Sequence, residues 1–398
     1  MRKIILSFII LSSVLSAYAE TFAFKYIEGE KYRFITSVSE RVSINGKFSH
    51  NADILDKISV EVTDVKDNSA RYVCNFITSE RAYGRTSTYK LSDNYTSIFW
   101  RDSQGRYTID KKYFMPVVRN VPIFPNRNLQ VGDKWTARGE EVHDLRRSFG
   151  INDAFHFPIT VNYIYKGKIK KDGRELFVIG IDYSVFYKVK YKYRYSSIVP
   201  SVITGYSHQI YYWNNDSGKP ESYREEFDFI YHLTSGDYVE YEGTAEGNVI
   251  HSKTMDKKEA VEQIQKQIKE NNLPDTTVKE DKHGVTINLE NIHFPPNSPI
   301  LVPAEKEKLK VIGKILKKFP DRDILITGHT AKIGTEQSCQ VLSEERAKAV
   351  GDYLLSIGAK KATQMIFRGK GSKEPIADNS TEEGRKLNRR VEITILEN

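Results

Sequence analysis

Cysteine is almost absent: 398 residues carry two, Cys74 and Cys339. They fall in different expected domains, one on a strand pattern and one on a helix pattern, so no disulfide framework rests on them. Two buried free thiols are expected, although an oxidising compartment would allow a bridge. Neither has a second ligand at metal-type spacing, and no metal or cofactor is expected. The nine histidines are scattered without useful spacing to carboxylates. Gly-x-Ser-x-Gly, His-Glu-x-x-His and phosphate-loop patterns are all missing, so the sequence offers no local enzyme signature, and a non-enzymatic protein is expected. After the first twenty residues no stretch approaches 18 consecutive apolar residues, which argues against a downstream transmembrane helix.

What is present begins with an export signal. Arg2-Lys3 precede the apolar run Ile4–Leu15, and Ala17-Tyr18-Ala19 forms an A-x-A cleavage site. Residues 1–19 are therefore expected to be a cleavable signal peptide, leaving Glu20 at the mature N-terminus and the protein in the periplasm or at the outer membrane. No cysteine stands at that junction to take a lipid anchor. The length requires two or three domains. A net charge of +8 suits an anionic partner such as a cell-wall polymer or lipid head groups, and equally suits mere solubility.

Residues 20–250 alternate with period two between turn signals, which predicts an all-β antiparallel barrel or sandwich. Asn45-Gly46 and Asp172-Gly173 are hairpin signals. Every odd position from Phe177 to Tyr195 is apolar or aromatic, a run longer than an ordinary strand. Pro116–Pro125 reads as a loop crossing between two β units, with a subdomain boundary near residue 128. Lys188, Lys190, Lys192 and Arg194 occupy one face of a strand opposite aromatic residues. Export argues against a nucleic-acid partner there and leaves a solvated face, or a face for anionic lipid or glycan. Residues 251–283 read as a linker: a helix over Met255–Asn272, opened by Asp256 and Glu259 and striped by Ala260, Val261, Ile264 and Ile268, followed by a polar hinge over Asp275–His283.

From Gly284 the pattern changes to α+β, a mixed sheet with helices on one face. A strand is expected over Val285–Phe294, a helix from Pro303 to Lys318, and a strand over Asp323–Thr327 that runs into Gly328-His329-Thr330. A helix from about Thr335 stops at Gly358, Ser380 and Glu383 suggest a capping box, and a last strand covers Asn388–Leu396.

Gly328-His329-Thr330, Gly334, Leu342-Ser343, Arg346-Ala347, Gly384-Arg385 and Asn388-Arg389-Arg390-Val391 occur in that order, with Pro375-Ile376-Ala377-Asp378-Asn379 between. Residues 284–398 thereby resemble the OmpA-like C-terminal domain, a module that tethers envelope proteins to peptidoglycan. The resemblance implies that an Asp after Gly-His-Thr takes the ammonium of the stem peptide's diaminopimelate, and that the Arg of Leu-Ser-x-x-Arg takes its carboxylate. Here the Asp position is Ala331 and the Arg is Arg346. The position three residues before Leu-Ser, an Asn in the family, is Cys339.

Arg346 is thus the leading candidate for binding peptidoglycan stem peptide, with Thr330, Ala331, Asn388 and Arg389 beside it. A planar guanidinium suits a carboxylate; the competing reading is an internal salt bridge to Glu336 or Asp378. His329 is expected to be a turn histidine satisfied by backbone. The expected function is a non-enzymatic envelope protein whose OmpA-like domain faces peptidoglycan through a weakened or altered site, while the β-rich domain docks on an envelope protein or outer-membrane partner. The alternatives are a protein-interaction scaffold that has lost peptidoglycan binding and an outer-membrane β-barrel carrying a periplasmic OmpA-like domain. A mean hydropathy of −0.51 weighs against the barrel.

Overall fold

The computed structural model describes residues 19–82, 88–189, 198–250, 254–290, 292, 294–295 and 298–397. The signal peptide expected over residues 1–19 lies outside them except for Ala19, as do Lys190, Lys192 and Arg194 of the basic strand face. The protein is mostly β, with a large mixed sheet and a few helices.

The first half carries β1 (Lys31–Ile44), β2 (Lys47–Lys66), β3 (Ser69–Ala82), β4 (Tyr89–Asp102), β5 (Tyr107–Ile109), β6 (Val118–Arg119) and β7 (Lys134–His143). A single helical turn, α1 (Arg146–Phe149), precedes β8 (Phe155–Lys171), β9 (Arg174–Lys188), β10 (Pro200–Asn214), β11 (Lys219–Leu233) and β12 (Tyr238–Ile250). Their antiparallel ladders form one chain of neighbours, β6-β7-β8-β9-β10-β11-β12-β1-β2-β3-β4-β5. Asn45-Gly46 and Asp172-Gly173 turn their hairpins as expected, all four residues at positive φ.

The proline-rich loop lies between the two end strands and ties them by polar contacts. Ser97 Oγ donates to the Met115 carbonyl at 2.7 Å, Asn120 Oδ1 accepts from Tyr107 N at 2.7 Å, and Phe124 N donates to Gln104 O at 2.9 Å. Inward residues of β8, β9 and β10 pack with Phe22, Phe24 and Phe124 into an aromatic core. A cavity of about 670 Å³ lies among the inward side chains of β1–β4 and β9–β12.

The second half carries α2 (Lys257–Glu270), β13 (Thr276–Asp281), β14 (Gly284–Leu289), α3 (Pro303–Lys317), β15 (Ile324–Gly328), α4 (Glu336–Ser356), β16 (Met365–Gly369), α5 (Glu382–Asn388) and β17 (Val391–Leu396). The strand order is β13-β14-β17-β15-β16, with β15 and β16 parallel and the other pairs antiparallel. Asp256 caps α2 by accepting from Glu259 N at 3.0 Å, and Ala260, Ile264 and Ile268 turn into the core.

Three expectations are corrected here. Asp275–His283 is not a hinge: it contains β13, whose register with β14 sets Val278 opposite Ile287. The strand expected over Val285–Phe294 is Gly284–Leu289, where its ladders with β13 and β17 both end, six positions before Pro295. The N-cap near Ser380 is Thr381, whose hydroxyl accepts from Gly384 N at 3.0 Å; Ser380 is held instead by Asp378, at 2.6 Å.

Alternation in β15, β16 and β17 divides the apolar residues between two faces. Ile324, Ile326, Met365, Phe367, Val391, Ile393 and Ile395 pack in one core with α2, α3 and α4. Leu325, Ile366 and Leu396 face the other way and meet Ile77 of β3 and Leu91 of β4. A short parallel pairing, Ile366 with Tyr89 and Phe367 with Lys90, continues the second sheet into the first.

At that junction Asp323 pairs with Arg33 of β1 and, at 2.8 Å, with Lys57 of β2; all three side chains are 3–5% exposed. Lys57 Nζ also donates to the Thr363 carbonyl at 2.6 Å. Burial lowers the Lys57 pKa, and Asp323 offsets part of that shift. Removing one partner of a buried ion group leaves uncompensated charge and costs about 3–5 kcal/mol. Asp323→Asn is therefore expected to lower unfolding stability by that order in a denaturant titration. A change below about 0.5 kcal/mol, the size of an ordinary surface substitution, would contradict the assignment.

Candidate functional site

The motif residues converge at the end of the second sheet where β15 and β16 finish and β17 begins. His329 N donates to the Arg390 carbonyl at 3.0 Å, and Thr330 N donates to the Gly371 carbonyl at 2.9 Å. The loop after β15 is thus fixed on two sides. A Cβ at Gly328 would collide with the Ser343 carbonyl of α4, so glycine lets the helix approach the strand end. Ser343 Oγ accepts from Gly371 N at 2.9 Å, tying the loop after β16 to the same helix. Gly384 has a similar role, since a Cβ there would meet the Asp378 carbonyl.

Asn388 is fully buried, and its amide is consumed by the fold. Its Oδ1 accepts from Ile376 N at 2.7 Å and Ala377 N at 3.1 Å. Its Nδ2 donates to the Ala377 carbonyl at 2.8 Å and to Asn379 Oδ1 at 3.0 Å. Asn379 Oδ1 also accepts from Lys332 N at 3.0 Å. Asn388 thus braces the loop 375–379, and Asn379 carries that brace on to the loop after Thr330. Nothing in the sequence marks Asn379 for this role, since its partners lie in two other segments.

Arg346 lies on α4 with 7% exposure. Its guanidinium sits 4.8 Å from the centre of the Phe294 ring, and its Nε donates to the Ser298 carbonyl at 3.3 Å. Burial lowers its pKa, and the nearby charge of Arg389 adds to the shift. The competing salt bridges do not form: Glu336 pairs with Lys373 at 2.7 Å, and Asp378 binds Ser380. Among the described residues no carboxylate pairs with Arg346. Phe294 and Ser298 were not foreseeable as its partners, because a contact from the loop before α3 to the middle of α4 leaves no periodic trace.

Thr330 and Ala331 are buried at 6% and 4% exposure. The Ala331 carbonyl accepts from the Cys339 thiol at 3.7 Å, and the Ile333 carbonyl accepts from it at 3.2 Å. Both cysteines are free and buried. Thr330 Oγ1 and both ring nitrogens of His329 are buried without a hydrogen bond. His329 Nε2 stands 3.6 Å from Glu392, too far for one, so the ring is not satisfied by backbone as the sequence suggests; only the main chain of this residue is bonded. Burial lowers the pKa of its imidazole. Arg389 reaches Glu382 at 2.8 Å. The structure thus brings Arg346 and Arg389 into electrostatic contact and sets Thr330 and Ala331 in the adjoining loop, while Asn388 is the internal brace.

Residues 293–389 match the OmpA family. Over 104 residues the chain is 41% identical to the peptidoglycan-binding protein ArfA of Mycobacterium tuberculosis, covering 26% of this chain and 32% of that protein. Over 103 residues it is 40% identical to outer membrane protein A of Bordetella avium, covering 26% of this chain and 53% of the relative. A solved outer membrane protein of Borrelia burgdorferi B31 is 38% identical, with a TM-score of 0.26, covering 30% of this chain and 96% of its own. The chain spans about a third to a half of the two curated relatives. The family match leaves residues 1–292 outside it.

Asn388→Ala would remove the acceptor of two part-buried backbone donors and the donor to two oxygens, each lost bond costing about 1 kcal/mol and more where the partner stays shielded from water. The expected outcome is a loss of about 2–5 kcal/mol in chemical denaturation. Unchanged stability together with lost ligand binding would return Asn388 to the ligand.

Proposed function

Because residues 293–389 form an OmpA family domain, we propose that the protein is a non-enzymatic envelope component that associates with peptidoglycan through the loops around Arg346. The observation that carries this reading is Arg346 itself: a largely buried guanidinium, seated on Phe294, with no carboxylate paired to it among the described residues. An internal ion pair would have exhausted it. The relatives, a peptidoglycan-binding protein and an outer membrane protein, support the envelope setting.

In this reading Arg346 takes a stem-peptide carboxylate, Arg389 adds positive potential, and Ala331 supplies no acceptor for an ammonium. The site is then a weakened or altered form of the diaminopimelate pocket. The domains are residues 20–250, a single wrapped sheet closed by the proline loop in the manner of a barrel, and an α+β module over 284–398. The segment 251–283 serves as its preface, since α2 packs into the same core as α3 and α4. Residues 1–19 direct export. Ion pairs such as Arg41–Glu242 and Arg224–Glu246, each at least 43% exposed, lie on strand faces that a lipid-facing barrel would keep apolar. A second reading, a scaffold without peptidoglycan affinity, is favoured by Ala331 alone.

The test is affinity for soluble muropeptides. Arg346→Ala should weaken binding about tenfold or more, the loss of a charge-assisted pair of roughly 1.5–3 kcal/mol. Ala331→Asp should strengthen binding to diaminopimelate muropeptide. Equal affinity of wild type and Arg346→Ala would remove the site, and no gain from Ala331→Asp would show that the missing carboxylate does not matter.

A further inference from the structure

The cavity of the first sheet is independent of the wall site and has a chemistry of its own. Its volume, about 670 Å³, is within the roughly 300–1,000 Å³ usual for small-molecule sites. Along β1 its wall runs from Tyr32 through Phe34 and Val38 to Glu40, and along β2 it runs from Val60 through Ile58 to Ile54. Eight steps of strand at about 3.3 Å make a lining roughly 26 Å long. Most of that wall is apolar or aromatic, which suits a long, apolar occupant.

The charged groups in the wall differ in one decisive way. Glu40, Asp56, Glu141, Asp144 and Glu225 all line the cavity; Glu141 accepts from the Tyr183 hydroxyl at 2.6 Å, and Asp144 pairs with Arg146 at 2.6 Å. Burial raises the carboxyls of Glu40, Asp56 and Glu225, Glu40 and Glu225 to about 7, so these three can shed their charge by taking a proton. Asp56 and Glu225 are also supplied with donors, Thr78 at 2.6 Å and Ser207 at 2.7 Å. Lys219 is paired with Glu30. Arg101 has no such outlet, because a guanidinium stays protonated in a protein.

Arg101 is half-buried and lines the cavity. Its neighbours are rings and phenols: the Phe24 ring centre at 3.9 Å, the Tyr72 ring centre at 4.6 Å, and the Tyr72 hydroxyl, which accepts from it at 2.5 Å. Its Nε is buried without a hydrogen bond. Among the described residues no carboxylate pairs with it. A half-buried guanidinium that faces an apolar cavity with no anion beside it is poorly compensated, and a carboxylate or phosphate is the group that would pair with it.

We propose that this cavity binds an anionic amphiphile: a long apolar chain along the inner faces of β1 and β2, with its carboxylate or phosphate head at Arg101. The head is the shared chemistry of fatty acids and of single-chain phospholipids, and the measurement separates them.

The test uses the full chain and a dansylated fatty acid as a fluorescent reporter. Competitors are palmitate, palmitoyl lysophosphatidate, methyl palmitate, palmityltrimethylammonium and inorganic phosphate. Palmitate, the lysophosphatidate or both should displace the reporter; the ester, the cationic amphiphile and phosphate alone should be at least tenfold weaker. Arg101→Gln should weaken binding about tenfold or more, Arg101→Lys should stay within a few-fold of wild type, and Ala245→Phe, which fills the cavity from β12, should abolish binding with Arg101 intact. Sacculus binding should be unchanged in all three variants. If Arg101→Gln does not fold, the ester comparison and Ala245→Phe decide. Equal binding of ester and acid overturns the role of Arg101. Tighter binding of the cation assigns the site to the carboxyls instead, and no displacement of a saturable signal by any amphiphile overturns the cavity as a ligand site.

Discussion

Asp323 is the constraint on which the arrangement of the two sheets depends. A carboxylate set between a guanidinium and an ammonium, all three shielded from water, is stable only if the outer faces of β1 and β2 lie against the start of β15. Attraction inside a protein repays the desolvation of such ions only when the geometry is good, and removal of any member leaves the others exposed to that cost. Other contacts follow from this docking. Lys90 meets Glu344 at 2.7 Å, Thr88 meets Asp352 at 3.1 Å, and β16 adds briefly to β4. The sheet of the second half is thereby covered on both faces, by helices on one and by β3 and β4 on the other.

Local patterns made much of this legible, and the contacts between distant segments did not. The stripe Ala260, Ile264 and Ile268 and the two Asn-Gly or Asp-Gly hairpins were readable because each is set by neighbours in sequence. The second apolar face was not, since it consists of single residues, Leu325, Ile366 and Leu396, whose partners Ile77 and Leu91 lie more than two hundred residues away. Nor could a lone Asp323 announce two cations from β1 and β2. The polar run Asp275–His283 suggested a hinge because an edge strand needs only one apolar side; Val278 alone supplies it.

The family motif divides into residues whose polar groups and backbone are taken up by the fold and one, Arg346, whose charge no carboxylate among the described residues meets. Gly328, Ser343, Gly384 and Asn388 are explained by close approach and by hydrogen bonds that bind three loops together. Arg346 is not exhausted in this way. Its spacing in Leu-Ser-x-x-Arg identified it in sequence, while its seat on Phe294 and the repulsion from Arg389 came only with the fold. Of the two departures from the family pattern, Ala331 places a methyl group in a buried loop and Cys339 donates its thiol to that residue's carbonyl, so the loop keeps its shape without the family carboxylate.

The central claim is specific association with peptidoglycan, as opposed to adhesion of a basic protein to an anionic polymer. Co-sedimentation of the intact chain with purified sacculi, read with and without added salt and with and without soluble muropeptide, separates the two. The account predicts saturable retention that persists at moderate salt and is displaced by muropeptide. Retention abolished by salt and indifferent to muropeptide, or a chain that stays in the supernatant throughout, would contradict it.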